Sequence, residues 1–277
     1  MNMQRFMYML FLIISGIFVS CAALPKSDPA VIRIKGSDTM LILVQAFADA
    51  YMTSYPAYKV TVEGGGSGTG FRALIEGRAD IAMSSRLISP QEAYQMAQTY
   101  RSIGLSYLVA KDALSLFLHP ANKIETLTMG DLELIFSGQI DNWLVFSNTI
   151  GKIQPVIRPP ESGTHMHFKL HVLKGNPYSP QSLIINTTKD IARYVSQNKG
   201  AIGYGGIAYS DSVYTAPLNG LVPSEENVRN DSYPLTRYLY FYTVTTPPGN
   251  VAKFIDWVIS PAGQAIVNQV GYFPLWE

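Results

Sequence analysis

The chain has 277 residues and a single cysteine, Cys21. No disulfide can form within it, so its stability must come from packing. Charge of either sign is scarce as a surplus: 21 basic residues face 20 acidic ones, a formal net charge of +1. There is no basic field to hold nucleic acid and no like-charge block that would read as a disordered tail. Its 17 tyrosines and 12 phenylalanines are scattered and form no interleaved basic and aromatic stripe for single strands. No apolar run is long enough to span a bilayer comfortably; Phe6 to Val19 is 14 residues. Any anion this protein holds must be held by local geometry. What the chain does have is a hydrophobic content of 47%, enough to bury one large core or two lobes.

Arg5 ahead of the Phe6–Val19 run reads as a signal-peptide core. The lone Cys21, preceded by Phe18-Val19-Ser20, resembles a bacterial lipobox, although Phe18 stands where leucine is usual. That resemblance implies a lipoprotein signal peptide over 1–20, cleavage before Cys21 and a lipid on it. The expected location is extracytoplasmic, periplasmic or cell-surface, tethered to a membrane. The alternative is an ordinary signal peptide or an uncleaved anchor with a free thiol.

One glycine-rich turn organises the rest. Lys59 to Glu63 alternates as a strand, Gly64-Gly65-Gly66-Ser67-Gly68-Thr69-Gly70 follows, and Phe71, Leu74 and Ile75 recur at helical spacing. Backbone N–H groups at such a helix start have no helical partner and lie at the positive end of the dipole, a recipe for holding an anion. Ser67 and Thr69 add hydroxyls. The turn is not a Walker A loop, a dinucleotide fingerprint or a nucleophile elbow. Alone it could be a plain tight turn.

Two further stretches repeat the design. Val31 to Ile34 reads as a strand running into Gly36-Ser37-Asp38-Thr39, and a helix follows with Leu41, Val44, Ala48 and Tyr51 on one face. Ile153 to Ile157 reads as a strand ending at Arg158, then Ser162-Gly163-Thr164 opens a helical stretch. Arg158 can bind an oxyanion bidentately. Ala79 to Met83 is a strand ending at Ser84-Ser85-Arg86, where ligands gather in open α/β sheets. Ser89-Pro90-Gln91-Glu92 is a capping box with proline at the first helical position. Beyond Ser106 the alternation changes. Ser106 to Ala110 and Leu114 to Leu118 read as consecutive strands separated by Lys111-Asp112-Ala113, a candidate crossover between lobes. Ala201 to Tyr204 reads as a strand before a Gly205-Gly206 turn, and Tyr238 to Val244 as the strand that returns the chain.

These landmarks, with Gly200-Ala201-Ile202-Gly203-Tyr204 and Ser260-Pro261-Ala262-Gly263-Gln264, resemble the phosphate-binding, PstS-type solute receptors of ABC importers from about Ile32 to Leu275. The resemblance implies an α/β, two-lobe periplasmic-binding-protein fold of type II with crossover strands. It places lobe 1 at 21–112 and 237–277, and lobe 2 at 113–236. It implies no enzyme activity, no cofactor and no metal. The partners it implies are inorganic phosphate, ABC permease subunits and a membrane reached by the lipid, with the protein itself a monomer. Carried over motif by motif, the phosphate-binding residues are Ser37, Asp38, Thr39, Ser67, Gly68, Thr69, Ser85, Arg86, Arg158, Ser162, Gly163 and Thr164. Two positions depart from the family pattern: Pro160 stands where an acidic residue is usual, and His165 where a basic one often follows the threonine. A carboxylate accepts the proton of hydrogen phosphate and repels sulfate, a role left to Asp38 or Glu161. Another tetrahedral oxyanion, sulfate or molybdate, and an anion-binding sensor or surface module are the alternatives.

Two chemical rivals rest on histidines. Ser162 with His165 would give a hydrolase its nucleophile and base, without an evident third member. His167 and His171 share a helix face at the spacing of a zinc pair, but Phe168 replaces the glutamate of His-Glu-x-x-His. Solvent-facing helix residues are the plainer reading of that pair.

Overall fold

The computed structural model describes residues 30–146 and 151–276. The expected signal peptide and Cys21 lie outside the described residues. Strand β1 (Ala30–Gly36) is followed by a single 3-10 turn (Asp38–Met40) and helix α1 (Leu41–Ser54). Then come β2 (Tyr58–Glu63), α2 (Ser67–Ile75), β3 (Ile81–Ser84) and α3 (Pro90–Tyr100). Strand β4 (Leu105–Leu118) leads to α4 (Met129–Ser137), β5 (Gln154–Ile157), α5 (Gly163–His171), β6 (Leu183–Ile184), α6 (Thr188–Gln197) and β7 (Ala201–Gly206). The chain closes with β8 (Tyr214–Ala216), α7 (Glu225–Arg229), β9 (Thr236–Thr243), α8 (Gly249–Ile259) and α9 (Pro261–Gln269).

The strands lie in the order β2-β1-β3-β9-β4-β7-β5-β6, with β8 also on β4. The β1–β2, β1–β3, β5–β6 and β5–β7 pairs are parallel, which crossover connections make possible. The two middle strands run against their neighbours: β9 is antiparallel to β3 and β4, and β4 to β7. These two strands join two cores. Val109 and Ala110 of β4 pack with Leu239 and Phe241 of β9 against Phe47, Tyr51 and Phe254. Further along, Leu114, Leu116 and Leu118 pack with Phe136, Trp143, Phe168 and Tyr204. The result is an α/β fold of two lobes with crossover strands between them.

Two local readings are corrected. The expected pair of strands at Ser106–Ala110 and Leu114–Leu118 is one continuous strand. Lys111 and Asp112 do not break it, because both are partnered where they stand. Lys111 Nζ donates to the Val228 and Arg229 carbonyls and to Asp231 Oδ1, and Asp112 accepts from Arg237. Nor do Gly205 and Gly206 form a turn. They extend β7, and a Cβ on Gly205 would sit 2.6 Å from Cε2 of Phe117, so glycine there lets strand and ring approach.

Candidate anion-binding site

The strand-to-helix turns converge at the carboxyl ends of their strands, the place where open α/β sheets gather ligands. Ser37-Asp38-Thr39 follows β1, Gly64-Gly65-Gly66 follows β2, Ser85 follows β3 and Arg158 follows β5. Gly66 holds φ at 102°, a conformation that L side chains rarely adopt. Its carbonyl accepts from the Thr69 N–H at 3.1 Å, and its N–H donates to the Gly36 carbonyl at 2.8 Å, tying the two turns together. Ser162 is the N-cap of α5 and accepts the His165 N–H.

The side chains brought together are almost all buried. Ser37, Thr39, Ser67, Ser85, Ser162, Thr164 and Arg158 are each no more than 2% exposed. Ser37 Oγ donates to Ser85 Oγ at 3.0 Å, and Ser67 Oγ accepts the Ser85 N–H at 3.2 Å. The hydroxyls of Thr39 and Thr164, one from each lobe, lie 2.9 Å apart. Arg158 reaches across the cleft: its Nη2 is 2.6 Å from Asp38 Oδ2, and its Nη1 donates to Thr188 Oγ1 at 2.8 Å. Nε of Arg158 is buried with no partner among the described residues. Burial pulls the Arg158 pKa below the ordinary guanidinium value, and the Asp38 charge opposes that shift. Asp38 Oδ1 accepts the Gly65 N–H at 2.9 Å. A carboxylate offers about four lone-pair sites, so Asp38 keeps acceptor capacity beyond these two bonds.

Glycines set how closely the lobes meet. A Cβ on Gly163 would fall inside contact distance of Ser67 Oγ, 2.6 Å from Ser85 Oγ and 3.1 Å from Ser67 Cβ. The Gly68 N–H donates to the Glu161 carbonyl of the facing lobe at 3.0 Å. Three of the twelve expected residues therefore stand apart from the cluster of hydroxyls. Gly68 spends its N–H on Glu161. Thr69 Oγ1 turns inward to the Gly66 carbonyl at 2.9 Å. Arg86 is held by a bidentate pair with Glu92, at 2.8 and 2.7 Å, and stacks over Phe71 at 5.2 Å. Glu161, the alternative acceptor, is exposed, whereas Asp38 is 8% exposed and inside the cluster.

The cluster also contains residues that the sequence motifs do not mark. Thr188 caps nothing and instead faces Arg158. Tyr209 and Tyr272 donate their hydroxyls to the carbonyls of Asp38 and Thr39, fixing the first turn from below. Asp112 and Arg237, facing each other across β4 and β9, form a buried pair: Nε and Nη2 of Arg237 meet Asp112 Oδ2 at 2.9 and 2.7 Å. Burial raises the Asp112 pKa despite that arginine. A strand of alternating apolar residues gives no local hint of such a pair.

Neither histidine chemistry assembles. His165 turns its Nδ1 to the Arg158 carbonyl at 2.7 Å, and Ser162 Oγ is spent as a helix cap. His167 and His171 do lie side by side, ring centroids 4.2 Å apart. Among the described residues, no group of three or more His, Cys, Asp or Glu is placed to hold a metal. No helix of the described residues is long and apolar enough to cross a membrane.

The structure thus brings buried hydroxyls and an arginine together at the junction of two α/β lobes. The PBP superfamily domain matches residues 24–262. The phosphate-binding protein PstS of Pseudomonas aeruginosa is 30% identical over 310 aligned positions, covering 99% of this chain and 96% of that protein. The Bacillus subtilis protein of the same name is 28% identical, covering 89% and 81%. Among solved structures, a phosphate ABC transporter substrate-binding protein from Clostridium perfringens with bound phosphate superposes with a TM-score of 0.82 at 27% identity, over 89% of this chain and all of that one. An ABC-type phosphate transport receptor from Vibrio cholerae gives 0.72 at 26% identity, over 87% and 99%. The chain belongs to the PstS family of solute-binding proteins, a family of receptors and not of enzymes.

Proposed function

We propose that this chain captures inorganic phosphate between its lobes and delivers it to an ABC permease. The observation that carries the reading is Arg158, 1% exposed, whose Nε has no partner among the described residues, together with the buried hydroxyls of Ser37, Thr39, Ser67, Ser85, Ser162 and Thr164 on the converging turns. Gly163 completes that second-lobe turn. Charge-assisted bonds from a buried arginine and many neutral donors suit a small anion held in a dry site. Asp38 supplies the acceptor that Pro160 cannot. Its carboxylate accepts the proton of hydrogen phosphate and repels sulfate, which has no proton to give at neutral pH.

In this reading 21–112 with 237–277 forms one lobe and 113–236 the other, and they close on the anion to signal the loaded state. Cys21 carries the lipid that tethers a monomeric receptor outside the cytoplasm. The test is calorimetric titration of the ligand-stripped domain with phosphate and then sulfate from pH 5 to 8. Tight phosphate binding without sulfate binding is the expected result. Sulfate or molybdate binding in its place would keep the site and change its cargo, the reading that Pro160 favours. No oxyanion binding at all would overturn the site and leave a surface or sensor module. Separately, Cys21→Ala should move the expressed protein from the detergent phase to the aqueous phase; unchanged partitioning would refute the lipid anchor.

A further inference from the structure

We infer that Arg237 is a second anion-binding arginine, supplied by the crossover strand and shared by both lobes. The inference rests on the reading that the cluster around Arg158 binds phosphate. Arg237 is 4% exposed, and its guanidinium faces the hydroxyls that come from opposite lobes. Nη1 donates to Thr164 Oγ1 at 3.0 Å, and Nη2 lies 3.5 Å from Thr39 Oγ1. Those two hydroxyls are themselves 2.9 Å apart, so the guanidinium is within reach of both where they meet. Its position is set on the crossover strands. Arg237 and Asp112 are register partners on β9 and β4, the strands that join the two cores, and Asp112 Oδ2 grips Nε and Nη2. Asp112 Oδ1 takes the Ile207 N–H at 3.3 Å, which anchors the carboxylate in turn.

A plain structural ion pair would use the fork of Arg237 on the carboxylate and leave it there. This one spends one edge of the fork on Asp112 and directs the other edge at two hydroxyls of the site. A guanidinium has five N–H donors, and Nη1 keeps a hydrogen beyond its bond to Thr164. The charges also point to a role in binding. Asp38 and Arg158 cancel, and so do Asp112 and Arg237, leaving the buried cluster neutral toward an incoming dianion. Without Arg237 any charge left on Asp112 is uncompensated, which penalises the dianion more than the monoanion.

The experiment measures phosphate affinity by calorimetry from pH 5 to 9 for the wild type, Arg237→Gln, and the double variant Asp112→Asn with Arg237→Gln, with thermal melts of each. The single variant should lose at least 100-fold in affinity above the second ionisation of phosphoric acid and clearly less below it. The double variant removes the unpaired Asp112 charge and so keeps its melting temperature. It should still bind at least 10-fold more weakly than the wild type, without the added pH dependence. If the single variant fails to fold, the double variant decides alone. A double variant that binds phosphate as tightly as the wild type across the pH range overturns the inference and leaves Arg237 a structural partner of Asp112. A wild type that binds no phosphate refutes the underlying reading of the site instead, so the two failures are told apart.

Discussion

Gly163→Ala separates closure from folding. Gly163 is the first residue of α5, where alanine is at least as good a helix former, so the isolated lobe gains up to about 1 kcal/mol or nothing. Across the cleft the same methyl meets Ser67 Oγ and Ser85 Oγ, the latter at 2.6 Å, and Ser67 Cβ at 3.1 Å. Rotating the hydroxyls away does not relieve the carbon contact, and it also removes two donors from the site. The lobes must therefore stand apart by a few tenths of an ångström to about 1 Å. Overpacking of this kind costs about 1–3 kcal/mol, which is about 5- to 150-fold in affinity. Because the strain exists only when the lobes are closed, it should appear in phosphate affinity and not in the melting temperature of the ligand-free protein. Calorimetry and ligand-free thermal melts read the two quantities. Affinity unchanged within twofold would refute the argument. So would a ligand-free melt lowered by many degrees, which would make the contact part of the fold.

Asp38→Asn replaces an acceptor with an amide that can donate, so phosphate affinity should fall about 10- to 150-fold, the worth of a hydrogen bond to a charged group. Sulfate should gain in competition, and an unchanged preference would refute Asp38 as the selector. Arg158→Met leaves Asp38 buried without its cation, and breaking such a pair costs about 3–5 kcal/mol; denaturant melts should show the loss, and calorimetry no anion binding. Arg86→Ala should lower stability and change phosphate affinity less than threefold, since both Nη atoms are engaged with Glu92; a large affinity loss would bring Arg86 into the site. His167 is held to about 2 from an ordinary 6.5 by burial first, then by the charges of Arg237 and His171. Its folded pKa is depressed, so the unfolded chain takes up the proton first, and stability falls as pH drops below 6.5. The slope is at most about 1.4 kcal/mol per pH unit. Melts from pH 7 to 4 should flatten in His167→Gln, and an unaltered slope would refute the assignment.

The parts of the fold that could be read from sequence are those written locally. The capping box of Ser89 and Glu92 is present in full, and the helix after Ser162 begins at its hydroxyl. Each depends on residues within four positions of one another, so spacing alone reveals it. Asp112 and Arg237 are 125 positions apart, and nothing in either neighbourhood marks the other. Two charged residues inside an apolar run then read most naturally as a break, which is why β4 is expected as two strands. The pairing that keeps the strand whole exists only in three dimensions.

Arg86 shows a different limit. The sequence places it correctly at the carboxyl end of β3, where an arginine can face a ligand. The sequence also places Glu92 correctly, as the third helical residue of a capping box. What it does not reveal is that these two local roles compete for the same groups. Glu92 Oε2 accepts the Ser89 N–H at 2.9 Å and also the Arg86 Nη1 at 2.8 Å, while Oε1 takes Nη2 at 2.7 Å. A carboxylate already fixed by its own helix start is a pre-ordered partner, so the guanidinium loses little further freedom by docking on it. The side chains of Arg86 and Glu92 are both mostly buried, at 14% and 15% exposure, so the pair is more than a solvent-screened contact. A cap residue of α3 has thereby engaged both Nη groups of the arginine that follows the neighbouring strand. In the proposed site the cationic charge then comes from Arg158 and, by the inference above, Arg237, whose carboxylate partners are Asp38 and Asp112.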